Sequence, residues 1–361
     1  MKKLLSLIII SVFVISQSYA QSSYQYKKPQ QLNDGWSTEN FLAQNIDSTK
    51  FYQLFSQLKK GGHKIHSILL VKDNQLMVEE YFGDYHVAKT HDLRSTSKSI
   101  RALLMGIAVE KGFVDNINDP FTKYLPNLRP EKNLDPRKDQ ISIKHLMTMS
   151  SGLDCNDWDR KSKGQEDRVY KKNDWLQYTM DLPMINEPGT VSTYCSMGAI
   201  LTAEIIGKTS GMSIDQFAEK YLFEPLGITQ VEWNHTSKKK VIDSGKRLYM
   251  KPRDIAKIGQ LILNKGKWNG QQIVSPEWIQ EATTPKTKIT GIDYGYFWWN
   301  IPMKGKNGMI LSKTATGNGG QYIMVFPSMN LVAVFTGGAY NSPEDKIPFA
   351  IMNNVLLPSF H

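Results

Sequence analysis

Two cysteines in 361 residues are too few for a zinc ribbon or an iron–sulfur site. The seven histidines are scattered, with no H-E-x-x-H pair among them. No G-x-S-x-G elbow, dinucleotide fingerprint or Walker loop occurs. Gly317-Asn318-Gly319-Gly320 comes closest to a phosphate-binding loop, but Tyr322 stands where the last glycine is needed. Beyond residue 20 no apolar run approaches the ~20 residues that span a bilayer. Internal repeats and low-complexity tracts are missing as well. These absences exclude the common metal, nucleotide and integral-membrane classes, and neither a metal nor a cofactor is expected. What remains is a globular composition: 40% hydrophobic, 22% charged and 11% aromatic residues. The net charge of +10 is a modest excess for this length and names no partner. Lys238 to Lys240 reads as a solvated loop, not as a nucleic-acid patch.

The start of the chain gives a compartment. Lys2 and Lys3 precede an apolar run from Leu4 to Ile15, then Ser18-Tyr19-Ala20 before Gln21. A basic start, a short apolar middle and small residues at −3 and −1 make a secretory signal peptide over residues 1–20, cleaved after Ala20. A membrane anchor would need a longer run. An exported protein, periplasmic or secreted and with no transmembrane segment in its mature part, is therefore expected. Disulfides persist there, and Cys155 and Cys195 are read as a bridge, against the alternative of two separate buried thiols.

Residues 21–45 are polar and turn-rich, and read as an N-terminal arm. Phe51, Leu54, Phe55 and Leu58 have the spacing of an amphipathic helix over Asp47 to Lys60. His66 to Val71 and Gln75 to Phe82, joined by Lys72-Asp73-Asn74, form a hairpin pattern. A helix over Ser99 to Lys111 follows. The stretch of about 115–250 is mostly helical pattern and loop. Strands return at Tyr294 to Ile301, Met309 to Thr314, Gln321 to Phe326 and Leu331 to Thr336, with a closing helix over Asp345 to Leu357. The expectation is an α+β protein: an antiparallel sheet built from both chain ends, flanked by helices, with a mostly helical insert lobe.

Three serines are followed three places later by lysine: Ser56/Lys59, Ser95/Lys98 and Ser237/Lys240. Only Ser95 sits where a hairpin region gives way to an apolar helix. An i, i+3 pair shares one face of the first turn, so Lys98 reaches the Ser95 hydroxyl. The helix N-terminus adds partial positive charge and free N–H groups. A hydroxyl needs a base to become a nucleophile, and an amine in a dry pocket can serve. The plain alternative is an N-cap beside a surface lysine.

Ser95-Thr96-Ser97-Lys98-Ser99, Tyr194-Cys195-Ser196 and Ala315-Thr316-Gly317-Asn318-Gly319-Gly320 occur in that order. With these motifs, residues of about 45–357 resemble the serine β-lactamase-related family, which includes class C β-lactamases, DD-peptidases, esterases and 6-aminohexanoate-oligomer hydrolases. The resemblance implies a β-lactamase/transpeptidase-like fold over 46–357. It also implies catalysis by Ser95 through an acyl-enzyme, with Lys98 and Tyr194 sharing the proton and Ser196 in support. Thr316, Gly317 and Asn318 become the substrate and oxyanion strand. Two departures from the family stand out. Its Y-x-N asparagine is Ser196, which is still expected to orient Lys98, and the lysine of its K-T-G is Ala315. Both argue for a small ester, amide or peptide substrate over a β-lactam. The bridge between Cys155 and Cys195 would then position the loop carrying Tyr194. Asp154, Asp157, Trp158 and Asp159 either border the cleft or form a solvated loop with one anchoring Trp. The rival reading is a catalytically silent relative that binds a peptidoglycan fragment or another envelope ligand. Oligomeric state is not legible.

Overall fold

The computed structural model describes residues 24–44, 46–236 and 242–360. The signal-peptide reading over 1–20 and the Lys238 to Lys240 run lie outside the described residues. A nine-stranded sheet is the frame. Its strands are β1 (Ser37–Thr38), β2 (Ile65–Lys72), β3 (Gln75–Tyr81), β4 (Thr287–Ile289) and β5 (Ile292–Tyr294), followed by β6 (Trp299–Gly305), β7 (Gly308–Gly317), β8 (Gln321–Phe326) and β9 (Leu331–Gly337). The spatial order is β1-β3-β2-β9-β8-β7-β6-β5-β4. The two chain ends meet where β2 pairs with β9, from Leu331 opposite Lys72 to Thr336 opposite Ser67. Every pairing is antiparallel except one: the two-residue β1 of the arm lies parallel along β3. The two residues of this edge carry no alternation from which the sequence could announce it.

The central strands are buried on both faces, which explains their continuous apolar runs. Side chains alternate across the sheet. Ile68, Leu70, Met324, Ala333 and Phe335 point into one core with Phe51, Phe55 and Leu58 of helix α1 (Ser48–Lys59) and with the C-terminal helical segment. Leu69, Val71, Ile323, Val325, Val332 and Val334 face the larger core. That core packs helices α2 (Thr96–Glu110), α3 (Ser196–Ser210), α4 (Pro252–Leu263) and α5 (Pro276–Thr283). α4 comes close to the sheet because Gly259 has no side chain: a Cβ there would stand 2.4 Å from Val332 Cγ1.

Two expected elements are broken. Tyr294 to Ile301 is not one strand; β5 ends at Tyr294 and β6 begins at Trp299, with Phe297 between them at φ 58°. The segment turns to pack on α5, where Tyr296 N–H bonds Ala282 O at 2.8 Å. The closing helix divides into short helical pieces over 343–359. Between α2 and α4 the chain is mainly short helices and loops around α3. It also holds two strands, Val231–Asn234 and Arg247–Met250, which form a small sheet with His91–Asp92. No helix among the described residues is long and apolar enough to cross a membrane.

Candidate active site

α2 is buried along most of its length, from Thr96 to Ala108. Its first turn lies against the end of β7. Thr96 Oγ1 bonds Gln321 O at 3.3 Å, and a Cβ on Gly317 would stand 2.5 Å from Leu93 O. Ser95 is the residue just before this helix. Arg94, immediately upstream, holds φ 50°, a left-handed conformation that costs a non-glycine residue free energy and that clusters at functional sites. Arg94 is fixed there by Asp92, 2.8 Å from its Nε, and by the Tyr340 ring, 4.5 Å from its guanidinium carbon.

Lys98 Nζ donates to Ser95 Oγ at 2.8 Å, although the lysine is only 6% exposed. Both residues line a polar cavity of about 220 Å³ with Arg94, Arg101, Glu166, Ser196, Lys246 and Asn318. A larger hollow of about 670 Å³ lies elsewhere, between the N-terminal arm and β3, and holds none of the motif residues. Geometry and chemistry single out the smaller cavity, not size. Neither Ser95 nor Asn318 donates its main-chain N–H within the chain, among the described residues. Two helix N-termini converge here, since α3 begins at Ser196, and both favour negative charge. Arg101, one helical turn beyond Lys98, donates Nη2 to Lys246 O at 2.9 Å and to Ser244 O at 3.3 Å, which fixes the opposite wall. Burial lowers its guanidinium to about 10.

Tyr194 is brought to the same region by a laced pair of loops. Cys155 and Cys195 are disulfide-bonded. Thr193 Oγ1 donates to Cys155 O at 2.9 Å, and Asp157 N–H to Tyr194 O at 2.8 Å. The Trp158 ring lies flat on Tyr194, with centroids 4.9 Å apart and planes 2° from parallel, and the Trp299 ring lies beside both, 6.2 Å from Tyr194 and 6.3 Å from Trp158. Lys98 Nζ stands 5.1 Å from the Tyr194 ring centre. The phenol oxygen forms no hydrogen bond with Ser95 or Lys98, and Tyr194 is not part of the cavity wall. Of the expected substrate strand, Asn318 lines the cavity; Thr316 and Gly317 do not, and Gly317 instead permits the close contact with α2.

Ser196 forms no hydrogen bond with Lys98, whose amine donates to Ser95. The Ser196 hydroxyl contacts Asp157 Oδ2 at 2.7 Å and Glu166 Oε2 at 3.0 Å. Asp157 therefore belongs to the site. Burial and the Glu166 charge raise its carboxyl to about 6, while Lys98 pulls the other way. Glu166 carried no signal in the sequence, because its neighbours come from loops and helices 9 or 30 positions away. Lys313, the nearest lysine to the missing K-T-G cation, donates to Thr283 Oγ1 at 2.6 Å and is absent from the cavity.

The sequence profile of the Beta-lactamase family matches residues 52–350. The chain belongs to the β-lactamase family. An uncharacterized protein of Alkalihalophilus pseudofirmus is 22% identical over 338 residues, covering 82% of this chain and 92% of the relative. A Salmonella paratyphi A protein, provisionally named a D-alanyl-D-alanine carboxypeptidase, is 22% identical over 211 residues. That match covers 52% of this chain and spans about half of the relative, 48% of its length. The octameric penicillin-binding protein homologue from Pyrococcus abyssi shares the fold, with a TM-score of 0.67 and 18% identity. Its match covers 86% of this chain and 78% of that one. The β-lactamase family is one of serine hydrolases, and this member has the α+β fold expected of it.

Proposed function

We propose that this chain is an exported serine hydrolase acting on a small ester, amide or peptide. Ser95 Oγ attacks the carbonyl carbon, and its proton passes to the Lys98–Tyr194 group. The proton then goes to the leaving group as the acyl-enzyme forms. Water attacks the acyl carbon, loses a proton to the same group, and Ser95 is regenerated. The Lys98 amine and the hydroxyls of Ser95 and Tyr194 exchange protons as a coupled set. The observation that carries this reading is the 2.8 Å contact between Lys98 Nζ and Ser95 Oγ at a cavity-lining helix start. The main-chain N–H groups of Ser95 and Asn318 fit an oxyanion hole, where one donor contributes ~2.7–4 kcal/mol to the transition state. Ala315 and the engaged Lys313 leave the strand without a free cation, which supports ester or amide substrates over a β-lactam. The disulfide supports an oxidising compartment and hence export.

The test is a fluorophosphonate probe together with p-nitrophenyl esters, on wild type and Ser95→Ala. Labelling and turnover that vanish in the variant support the hydrolase. The phenol oxygen of Tyr194, which forms no hydrogen bond with Ser95 or Lys98, favours the rival silent binder of an envelope ligand. No labelling at any pH from about 6 to 10 would decide for that rival.

A further inference from the structure

Ser196 stands where the family has asparagine, and its surroundings give it another task. Its main-chain N–H donates to Asp157 Oδ2 at 2.8 Å, and its hydroxyl lies 2.7 Å from the same oxygen and 3.0 Å from Glu166 Oε2. A serine hydroxyl has one hydrogen to give. Both carboxyl contacts can be separate two-centre hydrogen bonds only if one of the two acids carries a proton and donates it to Ser196 Oγ. The remaining donors do not change this count: Glu166 N–H reaches Asp157 Oδ1 at 3.1 Å, and Tyr170 OH reaches Glu166 Oε2 at 3.1 Å. Ser196 itself is 3% exposed, and its hydroxyl is already engaged by both carboxyls.

We propose that Asp157 and Glu166 share one proton across Ser196 and act as a positioning pair for Lys98, setting the charge this lysine faces while it exchanges a proton with Ser95. The inference rests on the hydrolase reading above. Lys98 of α2 is the cation that acts on Asp157. From the same helix Arg101 acts on Tyr170, which also faces both acids. Asp167, beside Glu166, lines the cavity too. Loss of the shared proton puts a second negative charge beside the cavity that Ser95 and Lys98 line, and disfavours the anionic oxygen that forms there when Ser95 attacks. The pair therefore couples the pH of the medium to the readiness of the nucleophile. Sequence alone hides this, because Ser196 looks like a weakened copy of the family residue.

The experiment is the pH dependence, from about 4 to 9, of the fluorophosphonate labelling rate of wild type, Glu166→Gln and Asp157→Asn. Wild type should show an inflection near pH 6, where Asp157 titrates. In Glu166→Gln the Glu166 charge, which adds to burial in raising Asp157, is gone, so the inflection should move to lower pH; in Asp157→Asn it should be missing. Superimposable profiles for all three overturn the proposal, whereas a merely structural role would lower the rate without moving the inflection. Should a variant unfold, carbon-13 NMR titration of the Asp157 carboxyl in wild type asks the same question without turnover. Titration near 6 supports the pair, and titration at an ordinary aspartate value, about 4, overturns it. A complete lack of labelling would strike the hydrolase reading instead and leave the NMR result to judge the pair.

Discussion

Replacing both Cys155 and Cys195 by serine separates what the bridge does for stability from what it does for the site. The cross-link closes 40 positions of chain. The loop-entropy relation gives about 4 kcal/mol for that length, an upper figure because it charges nothing to the native state. For a chain of 361 residues the unfolding entropy at the midpoint is about 0.76 kcal/mol/K, so the melting temperature should drop by about 5 °C. The site should suffer less. The 155–158 and 193–196 segments stay laced by Thr193 Oγ1 to Cys155 O, Asp157 N–H to Tyr194 O and Ser196 to Asp157, and the Trp158 ring still covers Tyr194. Labelling of the folded variant at 25 °C should therefore fall less than about tenfold, the equivalent of ~1.4 kcal/mol. Calorimetry and labelling kinetics on the same preparation check both numbers. A melting temperature unchanged within about a degree would refute the entropic argument. Loss of labelling far beyond tenfold in folded protein would refute the claim that the other contacts suffice.

Gly317→Val should push the end of β7 off α2, because the first added carbon already stands 2.5 Å from Leu93 O and 2.9 Å from Thr96 Oγ1. Overpacking of this kind costs about 1–3 kcal/mol, and Ser95 labelling per folded molecule should fall at least tenfold. Arg253→Gln tests the arm: this 3% exposed guanidinium bonds Glu79 at 2.6 and 2.7 Å, Asp34 at 2.9 Å and Gln30 O at 2.8 Å. Leaving Glu79 buried without its cation should cost about 3–5 kcal/mol in urea unfolding, with labelling of the folded variant unmoved. Asp157 gives a pH signature in stability as well. Its folded carboxyl is raised to about 6, above the ordinary aspartate value near 4. The native state then binds the extra proton, so this group's contribution is fully present below about pH 4 and is lost as pH rises through 6. The stability of Asp157→Asn relative to wild type should rise across that window, read by denaturant titration at several pH values; a flat difference would remove the shift.

How far the sequence carries the argument depends on the reach of each contact. Ser95 and Lys98 are three positions apart on one helical turn, so their spacing alone places the amine on the hydroxyl, and the structure puts it at 2.8 Å. β2, β8 and β9 were legible because both faces are buried and the apolar runs are unbroken. The single strand expected from Tyr294 to Ile301 failed for the opposite reason. Its aromatic residues suit a strand by composition, yet Phe297 turns left-handed, its N–H on Met147 O and its carbonyl accepting from Ser99 Oγ. Those partners lie far away in sequence, and no local pattern announces them. The acid pair shows the same limit at the site. Asp157 was legible only as one of several acids in a loop, and Glu166 not at all, because what matters is a hydroxyl 30 to 39 positions downstream that both approach. The family pattern pointed at Ser196 and described it as a loss. With the carboxyls in place, the shorter side chain is what admits them: a longer amide at that position would occupy the space between Asp157 and Glu166. The substitution and the acids are thus one feature, and a Ser196→Asn variant should expel the shared proton instead of supplying the contact that the family's asparagine implies.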